Sequence, residues 1–423
     1  MTDFSPMVND TTKAQSESVE TVLSRLKSGR VYIPDYQRDA EQWDSRKKSL
    51  FIESILNNLT IPAFFFCEDE NRNYEVVDGQ QRLSTIWDFY ENKISISDDS
   101  KIDYIAPTSA LYAGKKHNQL IPTLKNIFSD YPLTIIYLPK SLELQTKLEI
   151  FRRINEGGTP LSGQDIRLSF YIQSKSVTFI RLVGIHRSST ETVENDLETD
   201  EASEVIKKPF QRMLGLAEKK GIYNPWDRFP SSKELWYDWW EGKDKAKGQT
   251  PSLMFLWYLV CLEREKLDGL LKRAKHLRVT FGGLTETALD IYCAQLEYQE
   301  SGKGLDGKNV LLSFQAIHGD YFEQFAIWIQ SILSRGLPGI SVDKYKQLAL
   351  FIAGAVELNV SPKKLTEKQW KEAGEFIRNP RKKGNAVLND EDGYPEPRGR
   401  WGGKKGQQQQ CEKTVEIVKR LLK

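Results

Sequence analysis

Over the first 175 residues the apolar positions switch between two periods. Val19, Val22, Leu23 and Leu26 recur at helical steps and predict a helix over 14–28, ended by Gly29. Val31-Tyr32-Ile33 reads as a short strand before Pro34, and Ser45 reads as the cap of a helix with Phe51, Ile52, Ile55, Leu56 and Leu59 on one face. Ala63–Phe66 and Tyr74–Val77 read as two strands across the polar turn Asp69–Asn73. Leu83, Ile86, Trp87 and Tyr90 then fall on one helical face. Leu133–Leu138 is a β-branched strand closed by Pro139. Leu144, Leu148 and Phe151 mark a helix running to Asn155, where Gly157-Gly158-Thr159-Pro160 breaks it. Ser162-x-x-Asp165 has the spacing of a capping box opening the next helix. The expected class is α+β, with residues 14–175 as one domain.

From about residue 176 helical periodicity dominates, as in Phe179–Leu182, Leu253–Leu262, Tyr321–Leu333 and Tyr345–Ala355. A mainly α-helical region is expected over 176–377. Trp226, Trp236, Trp239, Trp240 and Trp257 concentrate there and read first as core. The acidic stretch Glu191–Glu204 reads as a solvated loop or helix face. A third region, 378–423, carries Arg381, Lys382, Lys383, Arg398, Arg400, Lys404 and Lys405 among glycines around Trp401, before a short terminal helix. Cations interleaved with an aromatic suit phosphate contact and base stacking, so these seven residues are candidate DNA contacts. A merely solvated basic tail is the alternative.

Charge and composition narrow the classes. The 423 residues carry 60 Lys and Arg against 58 Asp and Glu, so the net charge of +2 gives no bulk field for nucleic acid. Local basic clusters would have to supply it. Cys67, Cys261, Cys293 and Cys411 have no Cys-x-x-Cys spacing, and the four histidines form no ligand pair, which argues against zinc and disulfide frameworks and fits a reducing cytoplasm. No signal pattern and no uncharged apolar run of about 18 residues is present, so no membrane role is expected.

The chemistry concentrates at Val77-Asp78-Gly79-Gln80-Gln81-Arg82, where the strand period turns into the helical one. A helix start offers unpaired N–H groups and the positive end of the dipole, a place suited to an anion. Gly79 lets a ligand approach the backbone, Arg82 adds a forked cation, and Asp78 could hold a metal ion or orient a water. In the bland alternative Asp78 caps the helix, Gly79 eases the turn and Arg82 pairs with a local carboxylate.

Two further motifs bear on that choice. Ile33-Pro34-x-Tyr36-Gln37-Arg38…Trp43 precedes the element, and Phe151-x-Arg153-Ile154-Asn155-x-Gly157…Leu161-Ser162…Ile166-Arg167 follows it. The three motifs in this order resemble the N-terminal domain of GmrSD-type restriction proteins, the DGQQR family, itself distantly similar to the ParB/sulfiredoxin fold. The resemblance covers roughly residues 15–175. It implies a domain that binds and hydrolyses a nucleoside triphosphate with Mg2+, used in defence against foreign DNA. On that resemblance Asp78 is the magnesium ligand, Gln80 and Gln81 hold phosphate or water, and Arg82 clamps developing charge. Gln37, Arg38, Gly79, Arg153 and Asn155 complete the nucleotide site, with Lys47 and Arg167 as lesser candidates. Gln37, Arg38, Asp78, Gln81, Arg82, Arg153 and Asn155 are expected to converge on one cleft.

Many relatives carry a C-terminal HNH nuclease. His186, His276 and His318 stand in no such arrangement, so a fused nuclease of that type is not expected and a separate nuclease subunit becomes the implied partner. The alternatives are a non-catalytic nucleotide- or DNA-binding module that recruits a nuclease, and a direct nuclease using the carboxylates of the first domain. The oligomeric state, a homo-oligomer included, stays open.

Overall fold

The computed structural model describes residues 12–34, 43–105, 107–140, 142, 144–155, 163–185, 209–241, 250–273, 287–302, 310–335, 340–378 and 406–422. The chain divides into two compact units, Met1–Pro160 with Thr199–Arg212 and Leu161–Glu198 with Met213–Lys423.

The first unit is built on a five-stranded sheet. Its strands are β1 (Lys13–Ser18), β2 (Val31–Tyr32), β3 (Phe64–Glu68), β4 (Tyr74–Asp78) and β5 (Pro132–Leu138), in the order β1-β5-β3-β4-β2. β3 and β4 form an antiparallel hairpin through the polar turn at 69–73, where Asp69 Oδ1 accepts from the backbone of Asn71 and Asn73. β5 lies parallel to β3, and β1 lies antiparallel to β5 with Lys13 opposite Tyr137 and Ser18 opposite Pro132.

Because side chains alternate across a strand, the run Phe64–Cys67 feeds two cores. Phe64 and Phe66 pack with Val76, Leu133 and Ile135 against α1 (Val19–Lys27), α2 (Ser45–Leu56), α3 (Gln80–Tyr90) and α4 (Pro122–Asp130). Cys67, Val77 and Leu138 face the other way, with Phe65, Leu142 and Ile150, the last on α5 (Leu144–Asn155). Leu83 and Ile86 of α3 are fully buried, and each such side chain contributes roughly 1.5–3 kcal/mol. The register slips between Phe65 and Phe66: Phe66 faces Val76, yet Phe65 faces Asp78, so Val77 is the extra residue of a β-bulge.

Three local expectations need correction. The helix expected over 14–28 begins only at Val19; Lys13–Ser18 is an edge strand whose conformation is imposed by six paired positions on β5. The cap of α2 is Asp44, whose carboxylate accepts the Lys47 N–H at 2.8 Å, not Ser45. Tyr90 does not join the buried stripe, because α3 ends there and leaves its ring exposed.

From residue 163 every described element is helical. Short turns of helix aside, these are in chain order α6 (Gly163–Phe170), α7 (Lys175–Val183), α8 (Pro209–Lys219), α9 (Pro230–Trp240), α10 (Thr250–Leu262), α11 (Arg264–Arg273), α12 (Thr287–Glu300), α13 (Phe322–Ser334), α14 (Tyr345–Glu357), α15 (Glu367–Arg378) and α16 (Gln407–Leu422). α10 is apolar almost all round and buried, but among the described residues no helix is long and apolar enough to cross a membrane. The tryptophans are core: Trp226 and Trp236 stack at 4.8 Å and donate their indole N–H groups to Val183 O and Ile185 O. All four cysteines are free and buried.

Candidate functional site

The strand-to-helix turn is built as the sequence pattern predicts. β4 delivers Asp78, Gly79 takes φ +103° and ψ 9°, and α3 starts at Gln80. No side chain caps this helix, so Asp78 is not the N-cap that the bland reading expects. Gly79 is required twice over. Its φ lies in the left-handed region, and a Cβ there would sit 2.5 Å from Cδ1 of Phe64.

Asp78 is instead committed to the residue one turn on, the local carboxylate pairing that the bland reading gives Arg82. Arg82 donates from Nη2 to Asp78 Oδ2 at 2.5 Å, and its guanidinium lies 5.0 Å from the centre of the Phe64 ring. Arg82 is only 8% exposed. Burial pulls its pKa down and Asp78 opposes that pull; an arginine remains a cation in either case. Gln80 is buried, and the Gln81 carbonyl accepts the Thr85 hydroxyl at 2.7 Å. Acid, glycine, amide and guanidinium therefore share one turn, resting on an aromatic floor.

α5 covers the opposite face of the same strand. Lys147 donates to Glu75 Oε2 at 3.0 Å, both side chains are largely buried, and the second carboxylate oxygen of Glu75 has no hydrogen bond. Burial raises the Glu75 pKa, with Lys147 acting against the rise. This pair and Ile150 tie α5 to β4 and so set where the last turn, with Arg153 and Asn155, stands. Arg153 is well exposed and bonds Glu149 on its own helix at 2.7 Å, a partner outside the Asp78 turn. The backbone of Asn155 closes α5. Gln37 and Arg38 lie outside the described residues, as do Arg381, Lys382, Lys383, Arg398, Arg400, Lys404 and Lys405.

Of the two lesser candidates, Lys47 holds its ammonium 4.9 Å from the centre of the Trp43 ring. Arg167 is fully buried in the helical unit, where it meets Asp290 at 2.8 Å and Gln164 at 2.5 Å. It is a core ion pair rather than a site residue.

Among the described residues no three His, Cys, Asp or Glu side chains gather as a metal site. A single carboxylate such as Asp78 still fits magnesium, which takes one or two carboxylates and completes its shell with phosphates and water.

Sequence reasoning missed a second feature of the sheet. A cavity of about 460 Å³ opens at the other end of the β3–β4 hairpin, lined by Lys13, Glu17, Arg25, Tyr74, Tyr137 and Lys140 among others. It lies about 13 Å along β4 from Asp78, four residues at strand rise. The misread of Lys13–Ser18 as helix hid it, since only a strand sends Lys13, Gln15 and Glu17 to one face.

No curated protein and no solved structure matches the chain. Residues 19–172 match the family model described as GmrSD restriction endonuclease, N-terminal domain. The match takes in the whole Asp78–Arg82 turn and α5.

Proposed function

We propose that the chain is a restriction-type DNA-defence protein whose Asp78–Arg82 turn binds a magnesium–nucleoside triphosphate and hydrolyses it, with the helical region and basic C-terminal segment coupling this to DNA. The observation that carries the reading is the Asp78–Arg82 pair itself, set on a left-handed glycine at a helix start. A magnesium–nucleotide presents both charges that such a pair can exchange for: phosphate oxygens for Arg82 and a cation for Asp78. The start of α3 adds the positive end of a helix dipole toward the same anion. Gln80 and Gln81 are proposed to hold phosphate or water, and Gln37, Arg38, Arg153 and Asn155 are the remaining proposed contacts. Magnesium, when bound, would neutralise phosphate charge; the chain's own part is to orient and clamp.

The test is phosphate release from the purified chain given each common nucleoside triphosphate, with and without DNA. Turnover that needs magnesium and is lost in Arg82→Ala supports the reading. Tight binding without turnover would favour the non-catalytic module that recruits a nuclease. Neither binding nor turnover would end both.

A further inference from the structure

Two parts of the Asp78–Arg82 turn rest on the same ring. A Cβ at Gly79 would lie 2.5 Å from Cδ1 of Phe64 and 3.2 Å from its Cγ, so the glycine backbone packs directly on that side chain. Arg82, three residues on, holds its guanidinium 5.0 Å from the ring centre. A cation over an aromatic face is attracted by the ring's quadrupole, and more so where water is excluded. Phe64 itself has no exposed surface. It stands opposite Ile135 in the parallel pairing of β3 with β5, and Phe66 meets it edge to face at 6.4 Å. Backed in this way, the ring has little room to follow a moving side chain.

Arg82 has need of such a platform. Its side chain is long, and fixing it costs rotamer entropy. Asp78 holds only one of its nitrogens, Nη2. A ligand whose cation takes Asp78 removes that hold, and the ring contact is what then keeps the guanidinium in place. A donor group already in position binds an anion at lower entropic cost than one free to swing. Burial alone does not give this role, as Phe66 shows. It is equally buried and faces the same core two residues along β3, but its ring meets Phe64 and Tyr137 rather than the turn.

We infer that Phe64 is a positioning residue of the nucleotide site: without touching the ligand, its ring holds Arg82 aimed at the phosphate and leaves room only for glycine at position 79. This role rests on the reading of the Asp78–Arg82 turn proposed above.

The test is calorimetric titration of the full chain with ATP, GTP, CTP and UTP, each with magnesium, the tightest of the four being followed through the variants. Phe64→Leu removes the aromatic face and is expected to weaken binding about five- to tenfold. Phe66→Leu should lower the melting temperature similarly yet change binding less than about twofold. In an Arg82→Ala background Phe64→Leu should add no further loss, because the group it positions is gone. A ring that acts only through the stability of the sheet would give the same loss in both backgrounds. Should Phe64→Leu not fold, Phe64→Met carries the same expectation, since its flexible side chain fills the space without a face. Unchanged binding in the Phe64 variant, equal losses for Phe64→Leu and Phe66→Leu, or equal losses in the two backgrounds would overturn the inference and leave the reading of the turn standing. Absence of binding by the parent chain, or binding that Arg82→Ala does not weaken, would end that reading and the role of Phe64 with it.

Discussion

Two arginine–aspartate pairs, one in each compact unit, show how the same contact serves different ends. Arg167 and Asp290 lie 123 residues apart and are both fully buried, with Gln164 on the guanidinium and Ser252 behind Gln164. Arg82 and Asp78 are one helical turn apart at the start of α3, and their side chains keep 10% and 16% exposure. The first pair is walled in, and nothing can replace either partner without opening the helical core. The second stands at a helix start with part of each side chain open to solvent, where the proposed ligand would take over both halves. Burial and backing, rather than the contact distance, separate structure from candidate chemistry.

The comparison breaks most sharply in the helical core. Asp290→Ala removes the carboxylate that faces the buried Arg167 charge and should cost roughly 3–5 kcal/mol of stability in urea unfolding. Replacing both by apolar residues, Arg167→Met with Asp290→Leu, should recover most of that loss. A double variant as unstable as the single one would contradict this view of the pair.

Lys147→Ala is next, at about 2–4 kcal/mol, since Lys147 and Glu75 each keep a little solvent. This loss should depend on pH. Burial raises the folded-state pKa of Glu75, and losing Lys147 raises it further. The folded state then binds a proton more tightly than the unfolded chain, so the contribution is fully present below the ordinary glutamate pKa. It is lost as pH climbs through the folded value. The variant should therefore fall less far below the parent at pH 5 than at pH 7; equal deficits at the two pH values would refute it.

Arg82→Ala should behave unlike either. Nucleotide binding or turnover should drop about ten- to a hundred-fold, roughly 1.5–3 kcal/mol, while the melting temperature moves only a few degrees. Arg82→Lys should not rescue it, because an ammonium lacks the fork. A large loss of stability with unchanged binding would make this pair another Arg167. The smallest effect belongs to Lys140→Ala, whose partner is Glu68: with Lys140 65% exposed, less than about 1 kcal/mol is expected.

Much of the turn was legible because its information is local. The change of period across Gly79 marks the junction, and the spacing of Asp78 and Arg82 already allows an ion pair. The residues that frame it were harder. Lys13–Ser18 is polar and carries no period of its own; β5, more than a hundred residues on, makes it a strand. Asp44 and Ser45 are both good caps, and only the backbone decides between them. Nothing near Arg167 in sequence announces Asp290, and nothing near Glu17 announces Tyr137. Each of these pairings is a product of topology.

The bulge at Val77 turns residue counting into a parity rule. The turn at 69–73 lies before the paired part of β4, so its length can change while the strand keeps its faces. Between Glu75 and Gly79 there is no such freedom. Side chains alternate there, with Val76 on the α3 face and Val77 on the α5 face. Deleting or adding one residue would send the carboxylate of Asp78 toward α5 and away from Arg82, with composition nearly unchanged. The element is defined by an even step from Val76 to Asp78 as much as by its letters, and a one-residue shift there should be as damaging as removing the aspartate itself.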